Sequence, residues 1–233
     1  MTQAVLFDFG DTLVDYPLRD TAGQLSYIIT FIEQMAAAKL VSLDRFESAS
    51  EFAKRLNTEN SDDSTWPFID RLRSERFFGQ ELSLSVAERI EREICDGVFA
   101  KAQILPDALP TLRELKKLGI KTGIVSNLPW GTSSAIWIEE FARHGFGADL
   151  IDQAVCCVDA GFRKPHPAAI NECLKRLACA PERSIYVGDR PSDVYAGKAA
   201  GCKTALVKRR ADSHTDQSDI VLNDLSELGR YLG

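Results

Sequence analysis

The sequence predicts an α/β protein: a parallel sheet covered on both faces, with a helical segment inserted near its start. Two observations carry this. From Leu105 onward short apolar runs alternate with helical patterns, whereas from Tyr16 to Ala100 no strand-like run occurs. Alternation of this kind indicates βαβ units, whose crossover connections place helices on both faces of a sheet.

The elements follow in order. Ala4–Phe7 is a short, wholly apolar run and predicts a buried first strand. Within the inserted segment, Leu25, Ile28, Ile29 and Ile32 recur at i, i+3, i+4 and i+7, the spacing of an amphipathic helix. Val86, Ile90, Ile94 and Val98 step by four, and Ser85 with Glu88 forms a plausible capping box ahead of them. The polar stretch Asn57–Thr65 divides the two halves. Strand-like runs then fall at Thr122–Val125, Ala154–Val158, Ile185–Val187, Thr204–Val207 and Ile220–Leu222. Between them, one helical pattern runs from Leu109 to Leu118 and stops at Gly119, another from Pro165 or Pro167 to Leu177, and a third from Asp193 to Gly201. The expected division is a core of residues 1–15 and 101–233 and a helical unit of 16–100.

Composition excludes several classes without naming a function. The chain has 233 residues, enough to bury a core without disulfides or a structural metal. With 28 Lys and Arg against 34 Asp and Glu, its net charge of −6 disfavours binding to nucleic acid or to an anionic membrane. No run approaches the ~18 apolar residues of a membrane span. Met1 leads almost at once into the first strand, so no signal peptide is expected. The six cysteines form no CxxC pair, and the adjacent Cys156 and Cys157 lie in an apolar run as buried thiols would. A reduced, cytoplasmic protein is expected.

Four motifs carry chemistry, each at the end of a predicted strand or the start of a helix, the edge where open α/β sheets bind ligands. In Phe7-Asp8-Phe9-Gly10-Asp11-Thr12-Leu13 a strand delivers a carboxylate into a tight turn, either as nucleophile or metal ligand or as an Asx-turn. Ser126 and Asn127 end the next strand with hydrogen-bonding side chains. Lys164 stands in Arg163-Lys164-Pro165-His166-Pro167, beside a predicted helix start. A cation there opposes the helix dipole, which implies an anion between them; otherwise it is a solvated lysine. In Gly188-Asp189-Arg190-Pro191-Ser192-Asp193 two carboxylates four residues apart suit Mg²⁺, a hard cation that takes oxygen ligands, although Asp193 could be an N-cap.

Taken in order along the whole chain, these motifs resemble the haloacid dehalogenase superfamily, most of whose members are phosphatases. The flanking Leu105-Pro106-Asp107-Ala108-Leu109 and Val194-to-Gly201 stretches resemble that family too. The resemblance implies a Rossmann-like three-layer core with an α-helical cap, and a hydrolase acting on a small phosphorylated metabolite. It further implies that Asp8 attacks phosphorus to form an aspartyl-phosphate. Mg²⁺ would be held by Asp8, the Gly10 carbonyl, Asp189 and Asp193, while Ser126, Asn127 and Lys164 bind the phosphoryl group.

One departure stands out. The family's loop usually reads Asp-x-Asp-Gly-Thr, and its second Asp is the general acid and base; here that position is Gly10. Asp11 could turn inward to replace it, a cap side chain could supply the proton, or the substrate could have a good leaving group. The same glycine raises rivals: a Mg²⁺- and phosphate-binding protein without turnover, a phosphonatase using a cap lysine such as Lys39 or Lys54, or a dehalogenase. The retained Asp189 and Asp193 count against dehalogenation. Trp130 is placed either at the pocket mouth or in loop packing, and Arg71, Arg73 and Arg76 either face an anionic substrate or form a solvated face.

Overall fold

A computed structural model describes residues 1–16, 30, 31, 33–37, 63–74, 82–209 and 217–233. Its centre is a six-stranded, wholly parallel sheet in the order β5-β4-β1-β6-β7-β8. The strands are β1 (Ala4–Phe7), β4 (Lys121–Ser126), β5 (Gln153–Cys156), β6 (Ser184–Gly188), β7 (Lys203–Val207) and β8 (Ile220–Leu222).

Successive side chains of a strand point to opposite faces, so a strand buried on both sides must be apolar throughout. In β1, Val5 and Phe7 enter the larger core, and Ala4 and Leu6 the smaller. The larger core is covered by α3 (Ala108–Lys117) and α4 (Ser134–Arg143), through Leu112, Leu115, Ile136, Trp137 and Phe141. The smaller is covered by α6 (Ala168–Leu177) and α7 (Pro191–Ala199), through Ile170, Cys173, Leu174, Leu177 and Ala196. The result is the expected three-layer α/β core.

From β1 the chain builds outward through β4 and β5, then returns across β1 to lay down β6, β7 and β8. The order therefore reverses beside β1, and a crevice opens at the C-terminal ends of β1, β4 and β6. Asp8, Ser126 and Asp189 stand at those ends.

The described part of the inserted segment is helical. It includes α1 (Phe68–Ser74), α2 (Leu84–Phe99) and helical residues at 30, 31 and 33–37, which bury Phe31 and Met35. Its ends are clipped together by two short antiparallel strands, β2 (Val14–Asp15) and β3 (Gln103–Ile104). A second tie joins the insertion to the core: Thr65 N–H donates to the Gly161 carbonyl (2.9 Å) and Arg163 N–H to that of Asp63 (2.8 Å). The periodic run through Leu25 and Ile32, most of the polar loop, Lys39, Lys54 and Arg76 lie outside the described residues.

Several expectations need adjustment. Helix α2 is capped by Ser83, whose hydroxyl accepts from Val86 N–H, so the cap lies two residues before Ser85. The run Ala154–Val158 is a strand only to Cys156; Cys157–Ala160 then makes one helical turn (α5), in which the Asp159 carboxylate accepts from Cys156 N–H. Helix α4 was not foreseen, because Glu140 interrupts its apolar face. That carboxylate is buried, accepting from Arg143 and bonded to His144. The stop at Gly119 is as expected, with φ of +70°.

Gly123 permits close packing of β4 under α6. A Cβ there would lie 2.7 Å from Cys173 Sγ and 3.3 Å from Leu6 Cγ. Overpacking of this kind costs about 1–3 kcal/mol. Gly123→Ala should therefore lower the melting temperature by ~2–4 °C per kcal/mol. In thermal melts, adding Cys173→Ala should recover part of that loss.

Candidate active site

The first-strand loop is held by its own backbone. Asp11 N–H donates to the Val14 carbonyl (2.7 Å), and the amides of Leu13 and Val14 donate to Phe9. Asp8 N–H continues the sheet by bonding to the Val187 carbonyl (2.8 Å). The turn forces Asp11 to φ of +62°, a conformation in which glycine is easier than any L-residue. Gly10 needs no such conformation, and a Cβ there would meet only the Tyr16 ring, at ordinary contact distance.

Lys164 is 6% exposed, which excludes the solvated-lysine reading. Its ammonium lies 2.6 Å from Asp8 Oδ1, 2.7 Å from Asp193 Oδ1, 2.8 Å from the Tyr186 hydroxyl and 3.1 Å from the Val125 carbonyl. The Tyr186 hydroxyl in turn donates to the Val125 carbonyl. The Lys164 backbone is clamped by Asn127, whose Oδ1 accepts from Lys164 N–H (2.9 Å) and whose Nδ2 donates to the Lys164 carbonyl (3.1 Å). Asn127, expected as a phosphate ligand, thus uses both amide atoms to position Lys164. Ser126 is buried beside it at the end of β4.

Asp193 is the third residue of α7, where its Oδ2 accepts from the Arg190 N–H. It therefore caps the helix from inside while its other oxygen meets Lys164. Gly188 makes this approach possible, because a Cβ at that position would overlap the Asp193 carboxylate. Asp189, 1% exposed, accepts from the Thr12 hydroxyl through Oδ1 (3.4 Å), while its buried Oδ2 has no hydrogen-bond partner among the described residues. One carboxylate oxygen from each of Asp8, Asp189 and Asp193 falls within 4.8 Å of the others.

Carboxylates crowd together here. Asp8, Asp11, Asp189 and Asp193 are all buried, and among the described residues Lys164 and Arg190 lie against them, the latter 3.4 Å from Asp11 Oδ2 and more than half exposed. Burial pushes Asp189 up to about 7, and the neighbouring Asp8, Asp193 and Asp11 push the same way. Burial also raises Asp8, to about 6, against the pull of Lys164. Burial alone would depress Lys164, but Asp193 and Asp8 outweigh it and hold the ammonium charged. Three converging buried carboxylates, with an Asp189 oxygen unbonded among the described residues, are a donor set that fits a hard divalent cation.

Arg190 and Tyr186 were not singled out in the sequence. Arg190 hid inside the Gly188-to-Asp193 motif, and Tyr186 read only as an apolar strand residue. Of the weaker candidates, Trp130 is buried in the loop after β4, and His166 stacks on Phe162 while its Nδ1 accepts from Ala168 N–H at the start of α6. Arg73 donates to the Leu82 carbonyl within the insertion. The cysteines are all free thiols, and burial holds Cys156 well above its usual range.

The fold and the site together define a doubly wound α/β protein with a lysine-centred carboxylate cluster at its switch point. A family model of haloacid dehalogenase-like hydrolases matches residues 2–201, and the chain belongs to that family. It is 26% identical to a glyceraldehyde 3-phosphate phosphatase of Methanothermobacter thermautotrophicus over the whole of both chains. Over 51% of this chain and 54% of the other, it is 34% identical to pyrophosphatase PpaX of Bacillus anthracis. A crystal structure of an HAD phosphatase from Thermococcus onnurineus superposes with a TM-score of 0.66 at 23% identity, covering 99% of this chain and 98% of that one. Among the described residues no helix is long and apolar enough to cross a membrane.

The raised carboxylates make a signed prediction. A carboxyl that binds its proton more tightly folded than unfolded adds stability below its unfolded value near 4, and this is lost as pH rises through its folded value. With Asp189 at about 7, metal-free protein should lose stability between roughly pH 4 and 7. Asp189→Asn should flatten that slope in melts recorded against pH; an unchanged slope would assign it to other groups.

Proposed function

We propose that the protein is a Mg²⁺-dependent phosphatase that cleaves a small phosphate ester through an aspartyl-phosphate on Asp8. The observation that carries this reading is the Asp8 carboxylate at the sheet's switch point, bonded to a buried lysine and converging with Asp189 and Asp193. Its relatives named as phosphatases support it.

Asp8, the Gly10 carbonyl, Asp189 and Asp193 would hold Mg²⁺, which when bound supplies positive charge to the phosphoryl oxygens. The remaining work falls to the chain. Lys164 gives a phosphoryl group a fixed cation and keeps one Asp8 oxygen oriented, so the other is presented to phosphorus. Ser126 adds a hydroxyl beside it, and Asn127 contributes by fixing Lys164. The core is formed by 1–15 and 101–233, and the helical segment 16–100 acts as a cap that covers the crevice, excludes water and selects the substrate. A small phosphorylated metabolite is the favoured partner over nucleic acid or membrane, given the −6 charge, and the cytoplasm is the favoured compartment.

The rivals are weaker. Dehalogenation needs no carboxylate cluster of this kind. A binding protein without turnover would not need Asp8 placed as a nucleophile.

The test is a panel of phosphate esters assayed with Mg²⁺. Release of phosphate should fall by at least about 10³-fold in Asp8→Asn, the scale of losing a catalytic nucleophile. Phosphate and Mg²⁺ binding without turnover of any ester would instead favour the binding protein. In parallel, saturating Mg²⁺ should raise the melting temperature of wild type by several degrees, since a ligand at about 100 Kd adds ~2.7 kcal/mol. Asp189→Asn should abolish that shift.

A further inference from the structure

Tyr16 stands where the inserted segment leaves the core, and it is 6% exposed. Its hydroxyl has no hydrogen-bond partner among the described residues. A buried phenol oxygen left unbonded costs free energy, and in native structures such a group calls for an explanation. The ring is fixed by neighbours, with Phe9 at 6.3 Å and 50° and Trp137 at 6.0 Å and near edge-on. The Cδ2–Cε2 side of its ring faces position 10: a Cβ there would be 3.8 Å from Tyr16 Cδ2 and 4.0 Å from Cε2, the ring carbon next to the one that bears the hydroxyl. Two residues before that position is Asp8.

Resting on the phosphatase reading, we propose that the Tyr16 hydroxyl is the hydrogen-bond donor to the ester oxygen of the substrate as that oxygen departs, in the space that Gly10 leaves open. An Asp8 oxygen forms its bond to phosphorus while the bond from phosphorus to the ester oxygen breaks, leaving the electron pair on that oxygen. Tyr16 holds this oxygen by its O–H while charge builds and keeps its own proton. The departing alkoxide takes a proton from water, and the hydroxide so formed opens the aspartyl-phosphate to inorganic phosphate and free Asp8. Burial above all, and then Glu140, Asp11 and Asp8, hold the phenol far above its usual range. It is thus a permanent donor rather than a proton carrier.

The experiment compares a simple alkyl phosphate, glycerol 3-phosphate, with 4-nitrophenyl phosphate, whose leaving group needs little help. Tyr16→Phe keeps the ring packing and removes only the donor. It should lower kcat on the alkyl ester by about 10- to 100-fold, the value of a hydrogen bond to a charged oxygen, and lower it distinctly less on the aryl ester. The leaving-group dependence should steepen accordingly, which a merely structural tyrosine would not cause. Adding Gly10→Asp to Tyr16→Phe should restore alkyl-ester turnover, because position 10 has room for a side chain. Equal losses on both esters, or none, would overturn the inference and leave the phosphatase reading intact. The wild type gives an independent check should the variant not fold. If it hydrolyses the alkyl ester more than about 10³-fold more slowly than the aryl ester, no donor assists departure and the inference fails. Wild type inert toward every ester would remove both readings together.

Discussion

The structure of this site depends on one buried cation. Four carboxylates brought out of water at the ends of β1 and β6 and at the start of α7 would repel one another, and isolated buried charge of that kind is not tolerated. Lys164 resolves the conflict from the centre, bonding at once to a residue of the first-strand loop and to one of α7. It ties together segments 156 positions apart in sequence, and joins the loop after β1 to the first turn of α7. Its own placement is over-determined. Asn127 grips its backbone on both sides, while Tyr186 and the Val125 carbonyl receive its ammonium from the smaller core. The lysine compensates only part of the charge. What remains among the described residues, including an Asp189 oxygen without a bond, is the electrostatic demand that a divalent cation would meet.

Much of this was legible because the relevant physics is local. A strand buried on both faces must be apolar, so Ala4–Phe7, Ile185–Val187 and Thr204–Val207 announced themselves, and the carboxylates that follow the first two marked the sheet edge. The glycine that ends α3 was legible for the same reason, since its φ is a property of one residue. Contacts across the chain were not legible. Nothing in the spacing of Asn127 says that its amide will clamp a lysine 37 residues away. Helix α4 escaped notice because Glu140 sits on its buried face, satisfied by Arg143 and His144, and a charged residue there breaks the apolar period on which recognition relies. The cap of α2 moved to Ser83 because Ser83 and Ser85 offer the same chemistry two residues apart, and only backbone geometry chooses between them.

The order of Gly10 and Asp11 is the least expected feature, and backbone preference does not explain it. Position 11 adopts a left-handed conformation and position 10 does not, so a glycine at 11 and a carboxylate at 10 would suit the turn better than the reverse. The sequence instead accepts strain at Asp11, and strain of this sort persists where surrounding contacts hold it in place. Here the contacts are visible: Asp11 meets Arg190 from the Gly188-to-Asp193 stretch, and the Tyr16 ring lies within contact distance of position 10. Exchanging the two residues would leave Arg190 facing a glycine and would set a carboxylate beside the Tyr16 ring. Gly10, Asp11, Tyr16 and Arg190 therefore form one interdependent arrangement. With Tyr16 donating as proposed, assistance to the departing group comes from the point where the chain leaves the core for the helical segment, so movement of that segment and that assistance would be coupled through a single side chain.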